Sequence, residues 1–236
     1  WSRIVAEQAR AGGPGRSRVF AQDMPAVRAE AAALTNGVLC HATEMDSLRK
    51  PGSGVHPGAV LVSAAVAIAQ ERGAGGEALL TALVAGCETM FRVGKATRHS
   101  TESRGFHAPG LTGPFGSAAA TGHLFGLSTE QMARAFGVAG SLCGGLMQFA
   151  AGSDGGMVKK LHIGRAAENG IVAARLAEAG FDGPSTVLEG RMGFLASYCE
   201  QFDVGALTGG LGEDHETLKI CFKRYPCQDR KSTRLN

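Results

Sequence analysis

The sequence predicts an all-α fold. Apolar residues recur at three- and four-residue spacings along most of the chain, alanine is abundant at those positions, and almost nothing alternates as a strand would. A hydrophobic content of 44% over 236 residues supports a sizeable core, in one large domain or two small ones, and argues against disorder. Many of the apolar faces carry Ala or Gly, so the helix axes are expected to approach closely. Several helices look apolar on more than one face, as central or interfacial helices do.

Each element follows from the pattern in order. WSRIVAEQA, at the start, is an amphipathic fragment. MPAVRAEAAALTNGVLCHATEMD, residues 24–46, reads as one helix. GAVLVSAAVAIAQERG is a second, starting after His56-Pro57 and stopping at Gly73. GEALLTALVAGCETMFRVGKATR, TGPFGSAAATGHLFGL and STEQMARAFGVAGSLCGGLMQF follow, the last opened by Ser128 and Gln131 in a capping-box pattern. HIGRAAENGIVAARLAEAGF ends at Gly180, and TVLEGRMGFLASYCE makes one or two short helices. LKICFKRYPCQ is the best strand candidate, a weak one. No internal repeat of fixed period is present.

Composition excludes several functions. A net charge of +3 without a basic run, and 6% aromatic residues, point away from nucleic acid. The apolar stretches are too short to span a bilayer, and no secretory leader is expected. Six scattered cysteines without a CxxC pair read as reduced thiols of a cytoplasmic protein. There is no P-loop, GxSxG or HExxH. The chain is expected to be truncated at both ends, with 229–236 (DRKSTRLN) a foreign or disordered tail.

Four polar stretches interrupt the helices. HATEMDSLRKPGSGVHPG sets His41, Glu44 and Asp46 at a helix end and His56 before the next helix; the three-residue spacing puts His41 and Glu44 on one helix face. It reads either as solvated charges or as a site. RHSTESRGFHAPG places His107 in a loop before a helix, where a surface role competes with a functional one. GSDGGMVKKLHIG brings Lys159, Lys160 and His162 to a helix start. Two cations there oppose the helix dipole, which suggests an anion nearby. In FKRYPCQ, Lys223, Arg224 and Tyr225 read as an exposed loop. His41, Glu44 and Asp46 could bind a cation, but no ligand set has a metal-site spacing. Gly110, Gly113 and Gly116 allow either close helix packing or a helix opening that presents N–H groups to an anion.

Together and in this order, NGVLCHATEMDS, HPG at 56–58, GFHAPGLTGPFGSAAATGHLFGLS, KKLHIGRAAENGIVAARLAEAGFDGP and KRYPCQ resemble the MmgE/PrpD family, over about residues 36–228. The resemblance implies a large helical domain covering 1–228, with a smaller α+β lid missing from this chain. It further implies a cytoplasmic homodimer that uses no metal and no organic cofactor. It implies a lyase acting on a small carboxylate, here a dehydratase of a hydroxy-polycarboxylic acid such as 2-methylcitrate; a decarboxylase or epimerase, or an inactive dimerisation module, are the alternatives. Position by position, it makes Glu44 (where Asp is more usual), Asp46, His56 and His107 the catalytic candidates. Lys159, Lys160 and His162 become the substrate-binding candidates. Ser47 stands where a third acid is frequent and Leu48 where some members carry Thr, and a later family histidine has no counterpart. The shared chemistry moves a proton at a carbon flanked by carboxylates. Imidazoles near neutral pKa suit the proton and ammoniums suit the carboxylates. Glu44 and Asp46 would orient a histidine or handle a departing hydroxyl.

Overall fold

The computed structural model describes residues 2–49, 55–152 and 154–225. Among them the chain is helical, as the periodicity predicts. The elements are α1 (Ser2–Ala11), β1 (Pro14–Ser17), α2 (Ala29–Cys40), β2 (Ser47–Arg49), α3 (Ser63–Arg72), α4 (Gly76–Ala96), α5 (Ser100–Ser103), α6 (Ala108–Phe125), α7 (Thr129–Ser141), α8 (Gly156–Glu178), α9 (Phe194–Tyr198) and β3 (Ile220–Phe222). Among the described residues no helix is long and apolar enough to cross a membrane. The expected boundary at 228/229 and the tail lie outside the described residues.

The centre of the fold is α6, which packs against α4 on one side and α8 on the other; α8 in turn packs on α2. These contacts require small residues. A Cβ on Gly37 of α2 would lie 2.7 Å from the Gly164 Cα of α8, and one on Gly164 would lie 2.3 Å from the Leu34 carbonyl oxygen. Gly116 of α6 and Gly86 of α4 meet in the same way, each with the other's carbonyl oxygen 2.9 Å from where a Cβ would stand. Such distances leave no room for a methyl group, so backbone meets backbone. Two large apolar clusters fill much of the remaining space, with a small third one of Ala65, Ala82 and Ala120. The first joins Val60, Leu61, Ile68, Met90, Phe91, Ile163 and Ile171, and the second joins Leu111, Phe115, Phe194 and Leu195.

Several boundaries differ from the sequence reading, each for a local reason. The expected 24–46 helix is α2 alone, and its chain turns at His41. A π-helical turn, Gly58–Val62, precedes α3, which stops where Gly73 adopts φ 67°. The helix from Ser128 has its full capping box, with Gln131 N–H on the Ser128 hydroxyl, but ends at Ser141 rather than reaching Phe149. Gly144-Gly145 breaks it, and Gly145 takes φ 139°. The weak strand candidate does form a strand: β3 pairs antiparallel with β2, Arg49 opposite Ile220 and Ser47 opposite Phe222.

Helix α6 begins four residues before its predicted start, at Ala108, with Pro109 in its first turn. Interior Pro114 has no N–H for the Gly110 carbonyl. The Gly144 N–H, at 3.2 Å, bonds that carbonyl instead, and the Gly145 carbonyl accepts from His107 N–H at 2.9 Å. A Cβ on Gly110 would lie 2.2 Å from the Gly144 oxygen, so the glycine serves close approach of backbone to backbone. Gly113 and Gly116 lie beyond the first turn, where N–H groups bond within the helix. They are packing residues, which corrects the expectation that they open the helix toward an anion.

Candidate functional site

Three chain segments converge near the ends of α2, α6 and α8. The first is the turn after α2. His41 caps the helix, fully buried, and its Nδ1 lies 2.5 Å from Asp46 Oδ2. Helical continuation would have set His41 beside Glu44. The turn instead gives Glu44 φ 56° and points its carboxylate elsewhere, so the expected shared helix face is not formed. His56 approaches the same acid from the far side of the loop, its Nδ1 3.4 Å from Asp46 Oδ1 and 3.2 Å from the Ser47 carbonyl oxygen. Ser47 closes the loop by accepting the Gly58 N–H at 2.9 Å. Asp46 therefore lies between two imidazoles whose ring centroids are 4.8 Å apart.

The second segment is the entry to α6. His107, the residue before its first turn, is 7% exposed and has its Nδ1 3.2 Å from His162 Nδ1 of α8. Two facing Nδ1 atoms are satisfied when one carries the proton and the other accepts it. Phe149 packs edge-on against both rings.

The third is the start of α8, which opens at Gly156, six residues before the predicted helix. Lys159, Lys160 and His162 thus sit in its first two turns. The anion that the dipole argument requires is present in the chain: Glu44 Oε2 lies 2.6 Å from Lys159 Nζ and Oε1 lies 2.8 Å from Lys160 Nζ.

Electrostatics sharpen the picture. Burial opposes charge on Glu44, but the two lysine hydrogen bonds outweigh it and bring its pKa to about 2. Burial likewise opposes charge on Asp46, and His41, His56 and Lys223 together still hold it below its ordinary value. Burial depresses His56 to about 4 against the pull of Asp46. His107 is pushed well below its ordinary value by burial, then by His162, His56, His41 and Lys159, which places all of these groups within electrostatic reach of it. Burial also lowers Lys159 and His162. At neutral pH the result is uncharged imidazoles at His56 and His107 beside charged lysines.

Every sequence-predicted site residue thus falls in one of three adjoining groups: Asp46 with His56, His107 with His162, and Glu44 with Lys159 and Lys160. Two further residues join them. His41 binds Asp46 directly. Lys223, which follows β3 and read as loop, is 11% exposed with its Nζ 3.8 Å from Asp46 Oδ1. Lys223 lies within the strand candidate LKICFKRYPCQ, directly after the residues that form β3, but nothing in the sequence tells that this strand pairs beside Asp46. Among the described residues, His41, Asp46 and His56 could hold a cation, with ligand atoms all within 4.8 Å of one another; Glu44, expected in that set, lies on Lys159 and Lys160 instead. A separate cavity of about 400 Å³ beside the end of α7 is lined by Ser141, Thr186, Arg191 and Tyr198, among others, and contains none of these site residues.

Comparison with known proteins gives the family. The family model for the MmgE/PrpD N-terminal domain matches residues 1–206. A cis-aconitate decarboxylase-like protein of Aspergillus oryzae is 34% identical over 84% of this chain and 43% of its own length. The cis-aconitate decarboxylase of Aspergillus terreus is 33% identical over 91% of the chain and 45% of its own length. The human cis-aconitate decarboxylase is 36% identical over 71% of the chain and 34% of its own length. The chain therefore spans less than half the length of these relatives.

Proposed function

The chain belongs to the MmgE/PrpD family, a family of lyase type, and from that premise we propose that it supplies the proton-transfer and carboxylate-binding groups of a decarboxylase acting on an unsaturated tricarboxylate such as cis-aconitate. The observation that carries the reading is the pair of buried imidazoles, His56 and His107, held uncharged beside Lys159 and Lys160.

The chemistry assigns the roles. When a carboxylate leaves as CO2, the C–C electron pair becomes a new double bond, the old double bond shifts, and its far carbon takes one proton. The ammoniums of Lys159 and Lys160 hold a carboxylate that stays behind. His107 delivers the proton, and His162, through the Nδ1 contact, positions and recharges it. Substrate charge favours this step: a bound polyanion raises the pKa of a nearby imidazole and protonates it only in the complex. The Ser47 carbonyl accepts from His56 Nδ1 and Asp46 stands at ion-pair distance from the same ring, which fits His56 as a second acid or base.

Dehydration of a hydroxytricarboxylate such as 2-methylcitrate, the outcome expected from sequence, would use the same groups. The activity in the relatives' names favours loss of CO2. We extend the proposal to a cytoplasmic homodimer; the free thiols of Cys40, Cys87, Cys143, Cys199 and Cys221 fit a reducing compartment. The test is to incubate the full-length gene product with cis-aconitate, citrate and 2-methylcitrate and follow mass. Loss of CO2 from cis-aconitate is expected. Loss of water from either hydroxy acid, with cis-aconitate left intact, would replace decarboxylase by dehydratase.

A further inference from the structure

We propose that Glu44 is a specificity-determining residue: its carboxylate occupies the Lys159–Lys160 pair as an internal stand-in for a substrate carboxylate and yields that pair when a polycarboxylate binds. The inference rests on the reading of this cluster as a carboxylate site.

Four observations lead to it. Glu44 uses one oxygen on each lysine, at 2.6 and 2.8 Å, as a bound carboxylate would. The lysines lie at the N-terminal end of α8, where the dipole favours any anion, internal or bound. Glu44 is held in the left-handed backbone region, φ 56°, which a residue with a Cβ occupies at a cost. Its side chain remains 20% exposed, against 8% for Lys159, so the carboxylate has a way out to solvent while the ammonium stays in place.

The charge balance makes displacement the favourable course. At the site the ammoniums of Lys159, Lys160 and Lys223 face the carboxylates of Glu44 and Asp46, while burial keeps His56 and His107 uncharged. The two carboxylates already engage these ammoniums, which leaves little free positive charge for a substrate carrying three negative charges. A substrate carboxylate set beside a retained Glu44 would meet a like charge at close range in a poorly solvated site. If Glu44 swings outward, two ammoniums are freed at once and the strained turn after α2 can relax. A monocarboxylate gains too little to displace Glu44. A polycarboxylate, anchored elsewhere by its other groups, gains enough. The internal carboxylate thereby selects for ligand charge.

The test uses propane-1,2,3-tricarboxylate, which has neither a double bond nor a hydroxyl and cannot react, with binding read by calorimetry. Glu44→Gln removes the competing charge and keeps the side-chain shape. It should bind the probe about tenfold or more tightly than the unaltered protein, and should begin to bind acetate. Glu44→Asp retains the charge but is one methylene too short to span both ammoniums, so it should fall between the two. It carries the test if Glu44→Gln fails to fold by circular dichroism. Equal or weaker binding by a folded Glu44→Gln, with the probe still bound by the unaltered protein and lost in Lys159→Met, would overturn the displacement and leave the carboxylate-site reading standing. No binding by any form would overturn both.

Discussion

Removing Glu216 tests how the last described segment holds the site. Its side chain is 1% exposed and accepts the Arg49 guanidinium in a two-point contact, Nε at 2.7 Å and Nη2 closer still. Lys95 and Lys219 reach its other oxygen at 3.2 and 3.0 Å, but both are more than a third exposed. Arg49 ends β2, the strand that follows Asp46, so the ion pair ties β2 to the segment that leads into β3, next to the turn after α2. Breaking a buried pair from one side costs about 3–5 kcal/mol, whereas an exposed lysine contact is worth about 0–1 kcal/mol. Glu216→Ala should therefore lose about 3–5 kcal/mol, a fall in Tm of about 6–20 °C for a domain of this size. The sign with pH is a second signature. Burial resists ionisation of Glu216, but Lys219, Arg49 and Lys95 bring its pKa from 4.5 down to about 2. The pair's contribution is complete above the unfolded value and disappears as pH falls through the folded one. Thermal melts of both proteins between pH 7 and pH 2.5 should show a large gap at neutrality that narrows in acid. A gap under 1 kcal/mol at pH 7, or one that stays constant into acid, would refute the reasoning.

Three further outcomes follow from the same geometry. Gly164→Ala sets a methyl group 2.3 Å from the Leu34 carbonyl oxygen, a backbone atom that cannot turn aside. Overpacking of about 1–3 kcal/mol or more should exceed the helix-propensity gain of about 1 kcal/mol, and chemical denaturation should show net destabilisation. Lys159→Met removes a charged hydrogen-bond donor worth about 1.5–3 kcal/mol, so steady-state kinetics should show KM for a tricarboxylate rising about tenfold to a hundredfold, with a smaller change in kcat. For a proton-donating His107, kcat should fall as pH rises through its pKa in the complex. The matching limb of kcat/KM should lie at lower pH, because burial and neighbouring positive charge depress His107 in the free protein; coincident limbs would contradict the charge-driven shift.

Local periodicity made much of the fold legible. The 3.6-residue pattern located α2, α4, α6, α7 and α8, and Ser128 with Gln131 marked a true cap. Boundaries failed where tertiary contacts override local preference. Helix α6 starts early because residues 144–145 lie against its first turn, and α8 starts early because Glu44 neutralises two lysines that the dipole alone would reject. At the site, residue types and order were enough to single out His56, His107 and Lys159. The partnerships were not legible, since Lys159 meets a carboxylate 115 residues away and Arg49 meets one 167 residues away. A three-residue strand such as β2 carries too little pattern to be seen, so Lys223 could not be placed beside Asp46.

In the proposed reaction this cluster moves one proton as a tricarboxylate loses CO2. Its most direct test is turnover of cis-aconitate by the full-length gene product in deuterium oxide, read by NMR, beside His107→Asn. One CO2 released and one deuterium gained at carbon per molecule of product, with both lost in the variant, is the predicted result. Conversion without carbon-bound deuterium, unchanged conversion by His107→Asn, or no conversion by the unaltered protein would contradict it.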